Sequence, residues 1–391
     1  MTTRTSTRFL ARPLTALIGL LALIALPTAG GCFSGRESVD GIDPATTRGH
    51  LTIDDILSPQ PTGPAEPVLP GGLTSRVIEP GIDFDEALVS WNIQPATNAT
   101  IELRVARRII AASAAELAWS PWMYVGRTGP SQPAPGEQRT ITSDLGKIDV
   151  DYFRAASGVL CHALQYRVLY DTAGASQTNP VHRVTITFTN VAKADAAAAK
   201  LVYNGQRSAF ARGWASASEP APIALDVPLR SQRTERPEIA GRICSPASVA
   251  MVLAFHGANI PVLDVANTAY DQANDLYGNW PRNVQAAYQF GISGYITRFA
   301  TWRQVEDCLA LGWPIIASIQ TKPGELRNAP YTQTDGHLIV IRGMDSAGNL
   351  LVNDPAAETP DKASVVYNRD DLTRVWLQRT LGTAYVLQGK P

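Results

Sequence analysis

Charge is scarce in this 391-residue chain: Asp, Glu, Lys and Arg make up 18% of it and the formal net charge is −1. No basic run is longer than a few residues. A protein that neutralises many phosphates needs clustered Lys and Arg, so nucleic-acid binding has no support here. Cysteine is scarce as well, with four in the whole chain, too few for a disulfide scaffold. There is no HExxH and no paired Cys-x-x-Cys for zinc, so no cofactor is expected, and no GxSxG marks a serine hydrolase. A GxxxxGK[ST] phosphate loop is missing, which excludes an ATP-driven transporter. The apolar run Leu14 to Leu26, about 13 residues, is too short to span a bilayer core of ~30 Å as a helix. What remains is a 45% apolar composition that suits globular structure, in a chain long enough for two domains.

That short run has its own meaning. Arg4, Arg8 and Arg12 precede it, and Pro27, Ala29, Gly30 and Gly31 follow it. A basic segment, an apolar segment and small residues in that order form a cleavable export signal. Cys32 directly after Ala-Gly-Gly resembles the lipobox of bacterial lipoproteins, with Ala29 where Leu is usual. A lipid on Cys32, holding the protein at the membrane or outer surface, is therefore expected ahead of a plain secretory signal with an incidental Cys. Removing residues 1–31 leaves 31 basic against 35 acidic residues, a charge of −4. Cys161, Cys244 and Cys308 then form an odd set, so at least one thiol stays free. Cys161 and Cys308 fall in different expected domains and are not expected to pair.

Residues 32–76 are polar and carry Pro59, Pro61, Pro64, Pro67 and Pro70, the composition of a tether. Residues 77–190 alternate short strand patterns with turn signals. Ile101, Leu103 and Val105 recur at period two, as do Leu164, Tyr166 and Val168, and Val184, Ile186 and Phe188. An all-β sandwich is expected. Trp91, Trp119 and Trp122 suit either a stacking surface for a cell-wall glycan or ordinary core and edge packing, and the second is the expectation. Residues 191–221 form an Ala- and Pro-rich linker. Residues 222–391 place helical patterns before strand runs, an α+β arrangement expected to fold by itself. Within it, Thr301 and Gln304 form a capping-box pattern ahead of Val305 and Leu309.

Three residues in this last segment carry a chemistry together. Cys244 stands at a helix start opened by Ser245-Pro246, where unpaired N–H groups favour a thiolate. His337 begins the apolar strand Leu338 to Ile341, and Asp354 ends the next strand, 17 residues on. The turn Asp345-Ser346-Ala347-Gly348 makes those strands antiparallel neighbours, so the carboxylate can orient the imidazole. Each residue alone has a bland reading: a buried Cys, a hydrogen-bonded His, a turn Asp. The set, in that order, is far more specific, and His50, His162, His182 and His256 have no comparable setting.

Residues 226–390 resemble the bacteriocin-leader, or double-glycine, peptidase-like branch of the papain fold. The resemblance rests on Val227-Pro228-Leu229-Arg230-Ser231-Gln232, on Cys244 to Met251, and on Gly278-Asn279-Trp280-Pro281-Arg282-Asn283. Gly336-His337-Leu338-Ile339-Val340 and Val352-Asn353-Asp354-Pro355-Ala356 complete it. It implies a papain-like cysteine peptidase with Cys244 as nucleophile, His337 as base, Asp354 as orienter and Gln232 as oxyanion donor. Ser245 stands where many relatives have Gly, and Gln232 lies 12 residues before Cys244, a longer gap than in the leader peptidases. Trp280 and Asn283 are candidates to line the cleft, core packing being the equal alternative for Trp280. The expected function is hydrolysis of a peptide or other amide through a thioacyl-enzyme. A surface binding module that keeps the papain fold without turnover is the alternative.

Overall fold

The computed structural model describes residues 49–55, 72–111, 114–129, 139–171, 179–199, 222–234 and 236–389. The export signal, Cys32, most of the tether and linker residues 200–221 lie outside them.

Among the described residues, eleven antiparallel strands build the N-terminal domain: β1 (His50–Asp55), β2 (Gly72–Thr74), β3 (Glu86–Ile93), β4 (Ala99–Ala111), β5 (Ala114–Trp119), β6 (Met123–Thr128), β7 (Thr142–Ser143), β8 (Gly146–Asp149), β9 (Tyr152–Ala155), β10 (Ala163–Tyr170) and β11 (Val181–Thr189). One sheet runs β1-β11-β3-β9-β8-β7; the other runs β2-β10-β4-β5, with β6 also on β4. The period-two residues Val89, Trp91, Leu103, Val105, Tyr166, Val168, Ile186 and Phe188 interleave between the sheets as one core. The sandwich therefore forms as expected, but it reaches further back along the chain. Both β1 and β2 fall in the stretch expected to be tether; β1 pairs along its whole length with β11, because His50 to Asp55 supplies an edge strand that the proline-rich composition around it conceals. Trp91 is buried in the core at 1% exposure. The guanidinium of Arg104 lies 4.8 Å from the Trp119 ring and 4.7 Å from Trp122, and Arg167 covers Trp122 at 4.6 Å. Cation–π packing thus takes up ring surface that a sugar platform would need free.

After helix α1 (Val191–Ala199) and the linker, the C-terminal domain begins with β12 (Ile223–Ala224), then α2 (Cys244–Phe255), α3 (Val262–Ala269) and α4 (Trp280–Gln289). There follow β13 (Ser293–Arg298), α5 (Trp302–Ala310), β14 (Ile315–Thr321), β15 (Thr334–Met344), β16 (Leu350–Asn353), β17 (Ser364–Tyr367), α6 (Arg369–Leu372) and β18 (Thr383–Gln388). The sheet order is β13-β18-β14-β15-β16-β17, with β12 also on β15. Alternation along the strands separates two cores. Ile316, Leu338, Val340 and Tyr385 face α2, α3 and α4, while Ala317, Ile339, Ile341 and Val386 face α5 and Trp376 on the other side. The Thr301 and Gln304 capping box opens α5 as expected. The molecule is α+β, a papain-like domain preceded by an all-β sandwich.

The second face of β3 and β11 is buried as well. Ser90, Asn92 and Thr187 have the look of a solvent face in an alternating strand, yet all are buried at 1% exposure or less. They meet β13, the edge of the C-terminal sheet. Ser90 Oγ accepts from Ile296 N at 3.0 Å, Asn92 Oδ1 from Gly294 N at 3.1 Å, and Thr187 Oγ1 donates to Ile296 O at 3.0 Å. These side chains satisfy an edge that would otherwise present unpaired backbone groups. Gln285 on α4 reciprocates: it receives Ile93 N at 2.9 Å and donates to Ile93 O at 2.7 Å. Leu88 completes the contact by packing into the core of the C-terminal domain.

Candidate active site

Cys244 is the first residue of α2 and is partly exposed. No side chain caps this helix and no acid lies in its first turn, so the unpaired N–H groups beside Cys244 keep their partial positive charge. Ser245 to Leu253 is buried on every side, which fixes the helix in place. Two side chains set its register. Ser248 Oγ donates to Leu338 O at 3.1 Å, tying α2 to the strand that carries His337, and Ser245 Oγ meets Tyr385 Oη at 3.1 Å.

His337 is 5% exposed and Asp354 fully buried. Val340 pairs with Asn353 across β15 and β16, and this register brings Asp354 diagonally beside His337. His337 Nε2 and Asp354 Oδ1 stand 2.8 Å apart. The same Oδ1 accepts from Ala356 N at 2.9 Å, and Oδ2 accepts from Tyr331 Oη at 2.9 Å and Tyr367 Oη at 2.7 Å. A buried carboxylate with four donors is held ionised. Burial would raise Asp354, but the charge and hydrogen bonds of His337, with those of Tyr367 and Ala356, bring it below its ordinary value. Burial likewise opposes a charged imidazole, yet Asp354 and Cys244 together push His337 up to about 10. For Cys244, burial raises the thiol; the hydrogen bond and charge of His337, helped by the Leu338 and Ser245 N–H groups, outweigh it and leave the thiol below its ordinary value. The structure thus brings together all three residues singled out from the sequence, a thiol, an imidazole and a carboxylate in series.

Gln232 opens a short 3₁₀ turn over Gln232–Thr234. Its N–H donates to Pro355 O at 2.8 Å, next to Asp354, and its Nε2 donates to Ala240 O at 2.8 Å, four residues before Cys244. Ala240 O can only accept, so it fixes which end of the amide is nitrogen. One Nε2 hydrogen is left over, and Oε1 is buried without a partner. Trp280 is the first residue of α4, half-buried, stacked on Tyr152 at 6.3 Å, with its N–H on Asp151 Oδ2 at 2.8 Å. It belongs to the junction between domains as much as to any cleft. Asn283 is 0% exposed and its Nδ2 holds Tyr277 O and Asn279 O, each at 2.8 Å. It braces the turn before α4, a role that its position in a matching motif did not reveal.

Sequence reasoning missed Tyr331, Tyr367 and Ser248. Tyr367 ends a period-two strand and Tyr331 precedes the histidine by six residues, but only the sheet register brings both hydroxyls to Asp354. Cys161 and Cys308 are buried free thiols, and burial pushes Cys161 up to about 12. Among the described residues, no group of His, Cys, Asp and Glu could hold a metal ion, and no helix is long and apolar enough to cross a membrane.

Residues 224–382 match the family model described as the Peptidase_C39 like family. Residues 36–189 match a second model, described as the Peptidase C39 N-terminal domain. The matches support a C39-like cysteine peptidase family. The C39 N-terminal match takes in β1 and β2, in line with the extended sandwich. Among solved structures, a double glycine motif protease from an AMS/PCAT transporter, in complex with the leader peptide, is 18% identical, with 43% of this chain and 98% of that one covered and a TM-score of 0.29. The peptidase domain of Streptococcus ComA is 19% identical over 38% of this chain and 93% of its own, with a TM-score of 0.28. Xylellain, a cysteine protease from Xylella fastidiosa, is 11% identical over 49% and 92%, with a TM-score of 0.31. The comparison with curated proteins finds no match.

Proposed function

We propose that the protein is a cysteine peptidase, or a related amide hydrolase, working through a thioacyl-enzyme on Cys244. The observation that carries this reading is the buried Asp354 with four donors, His337 among them. A binding module has no need to hold a carboxylate, an imidazole and a thiol in that order at the cost of burying them. In the proposed reaction the Cys244 thiolate attacks the amide carbon. The oxyanion receives the Cys244 N–H and the remaining Nε2 hydrogen of Gln232. His337 gives its proton to the leaving amine, and the C–N bond breaks. Water then attacks the thioester, His337 takes up its proton, and the acid leaves as the thiolate is restored. Asp354 keeps the imidazole oriented and stabilises its charged form throughout.

The substrate class that fits is a peptide, and the export signal with Cys32 supports action at the cell envelope from a lipid anchor. A peptide-library cleavage assay on the full chain tests the activity. Cleavage lost in Cys244→Ala supports it, and cleavage absent from the unaltered protein across the library favours the binding-module reading. Mass spectrometry of the N-terminus from the native host tests the anchor: diacylglycerol on Cys32 is expected, and an unmodified N-terminus elsewhere removes it.

A further inference from the structure

The two domains enclose a second polar site. A cavity of about 120 Å³ lies between the end of β6 and the α3–α4 region, with Arg127 on one wall and Tyr270, Gln272, Arg282 and Gln289 on the other. Among the described residues, no carboxylate lines it, and neither does any residue of the Cys244 site. Two arginines line this small space, and they are unequally engaged. Arg282 donates from Nη1 to Tyr270 O at 3.1 Å, and its Nε stands 3.8 Å from Asp271. Asp271 does not serve Arg282 alone, because its oxygens also accept from Ala273 N, Asn274 and Asn279. On the opposite wall, Arg127 Nε is buried and has no hydrogen-bond partner among the described residues. Arg139 lies over the Tyr124 ring at 4.0 Å, on the strand that carries Arg127.

A buried guanidinium N–H without an acceptor is unfavourable, and the group that relieves it best is a planar or tetrahedral oxyanion. We infer that this cavity is a binding site for an oxyanion, a carboxylate or a phosphate group, clamped between Arg127 of the N-terminal domain and Arg282 of the C39-like domain. The side-chain amides of Gln272 and Gln289 supply neutral donors beside the two cations, which suits an anion of one or two charges. The volume admits a small anion or the charged end of a larger molecule. Since the clamp joins the two domains, ligand binding favours their docked arrangement by mass action.

The test uses the full chain, titrated calorimetrically at constant ionic strength with inorganic phosphate and, separately, with N-acetylalanine, against a chloride control. Saturable binding of at least one anion is expected, weakened about tenfold or more in Arg127→Gln, with the rate of Cys244 alkylation unchanged in that variant as evidence of an intact fold. Binding of phosphate alone assigns the site to a phosphate group, and binding of N-acetylalanine alone assigns it to a peptide carboxyl terminus. The inference is overturned if neither anion binds saturably, or if Arg127→Gln and Arg282→Gln both bind as the unaltered protein does. The site stands apart from Cys244, so either result leaves the peptidase reading to its own test.

Discussion

At the scale of single residues, the three described cysteines are predicted to differ sharply in reactivity. Cys244 is partly exposed with its thiol held low by His337, whereas Cys161 is buried and pushed up to about 12. Only a thiolate alkylates quickly. Iodoacetamide at neutral pH is therefore expected to modify Cys244 far faster than Cys161 or Cys308, as peptide mapping would show, and His337→Ala should slow it by at least about tenfold. The pH dependence follows from the same pair. Lowering pH through the depressed Cys244 value removes the thiolate and with it alkylation. Amide cleavage also needs the His337 proton, so it should fade as pH rises toward about 10 while alkylation persists. The tyrosines give a separate handle. Tyr367→Phe removes one of two hydroxyls on Asp354 Oδ2, at a cost of about 1–3 kcal/mol in urea unfolding. Asp354 has a depressed value in the fold, so its contribution is present at neutral pH and lost as pH falls through that value. With a donor gone the folded value rises, and acid unfolding should begin at a higher pH than in the unaltered protein.

At the scale of elements, what could be read from the sequence was what lies within one strand or one helix. The helix start at Cys244, the capping box at Thr301, and the turn that pairs β15 with β16 each depend on neighbours a few residues away. The series Cys244, His337 and Asp354 became legible because two of its members sit on or beside consecutive antiparallel strands. Contacts across greater separations were not legible: Tyr331 and Tyr367 reach Asp354 only through the sheet, and Asn283 turned out to be a brace. The glycine closing Gly336-His337-Leu338-Ile339-Val340-Ile341-Arg342-Gly343 is of the same kind. A Cβ on Gly343 would stand 2.0 Å from Ile223 O, a backbone atom of β12. Gly343 and Ala224 are paired there, so the first strand of the C-terminal domain would have to move. Gly343→Ala is expected to destabilise by about 1–3 kcal/mol through that displacement, which a thermal melt can measure, while Gly336→Ala, with open space around it, should melt nearly as the unaltered protein.

At the scale of the whole molecule, the interface between the sandwich and the C-terminal domain was not legible. An Ala- and Pro-rich linker argues for independent domains, but Ser90, Asn92 and Thr187 cover the β13 edge, Leu88 enters the core beyond it, and Glu86 Oε2 pairs with Arg298 Nη2 at 2.8 Å with both side chains largely buried. Polar residues in an alternating strand mean solvent unless something else covers them, and a single sequence does not say what will. The tip of the β8–β9 turn makes this junction sensitive to pH. Asp151 is 8% exposed and accepts from Trp280 N at 2.8 Å, at the start of the helix beside the Cys244 helix. Burial, with Asp271 and Asp149 close by, raises its carboxyl to about 7, against the opposing Trp280 N–H. In the unfolded chain it titrates near 3.8. The folded state therefore binds this proton more tightly, and its contribution to stability is complete below about 4 and lost as pH rises through about 7. Asp151→Asn keeps an acceptor for Trp280 N and carries no charge. The variant should be more stable than the unaltered protein above pH 7, on the order of a few kcal/mol, and its stability should vary less between about pH 4 and 7. Urea melts across that range decide it: parallel pH profiles for the two proteins would mean that Asp151 reaches solvent and that the junction does not hold it buried.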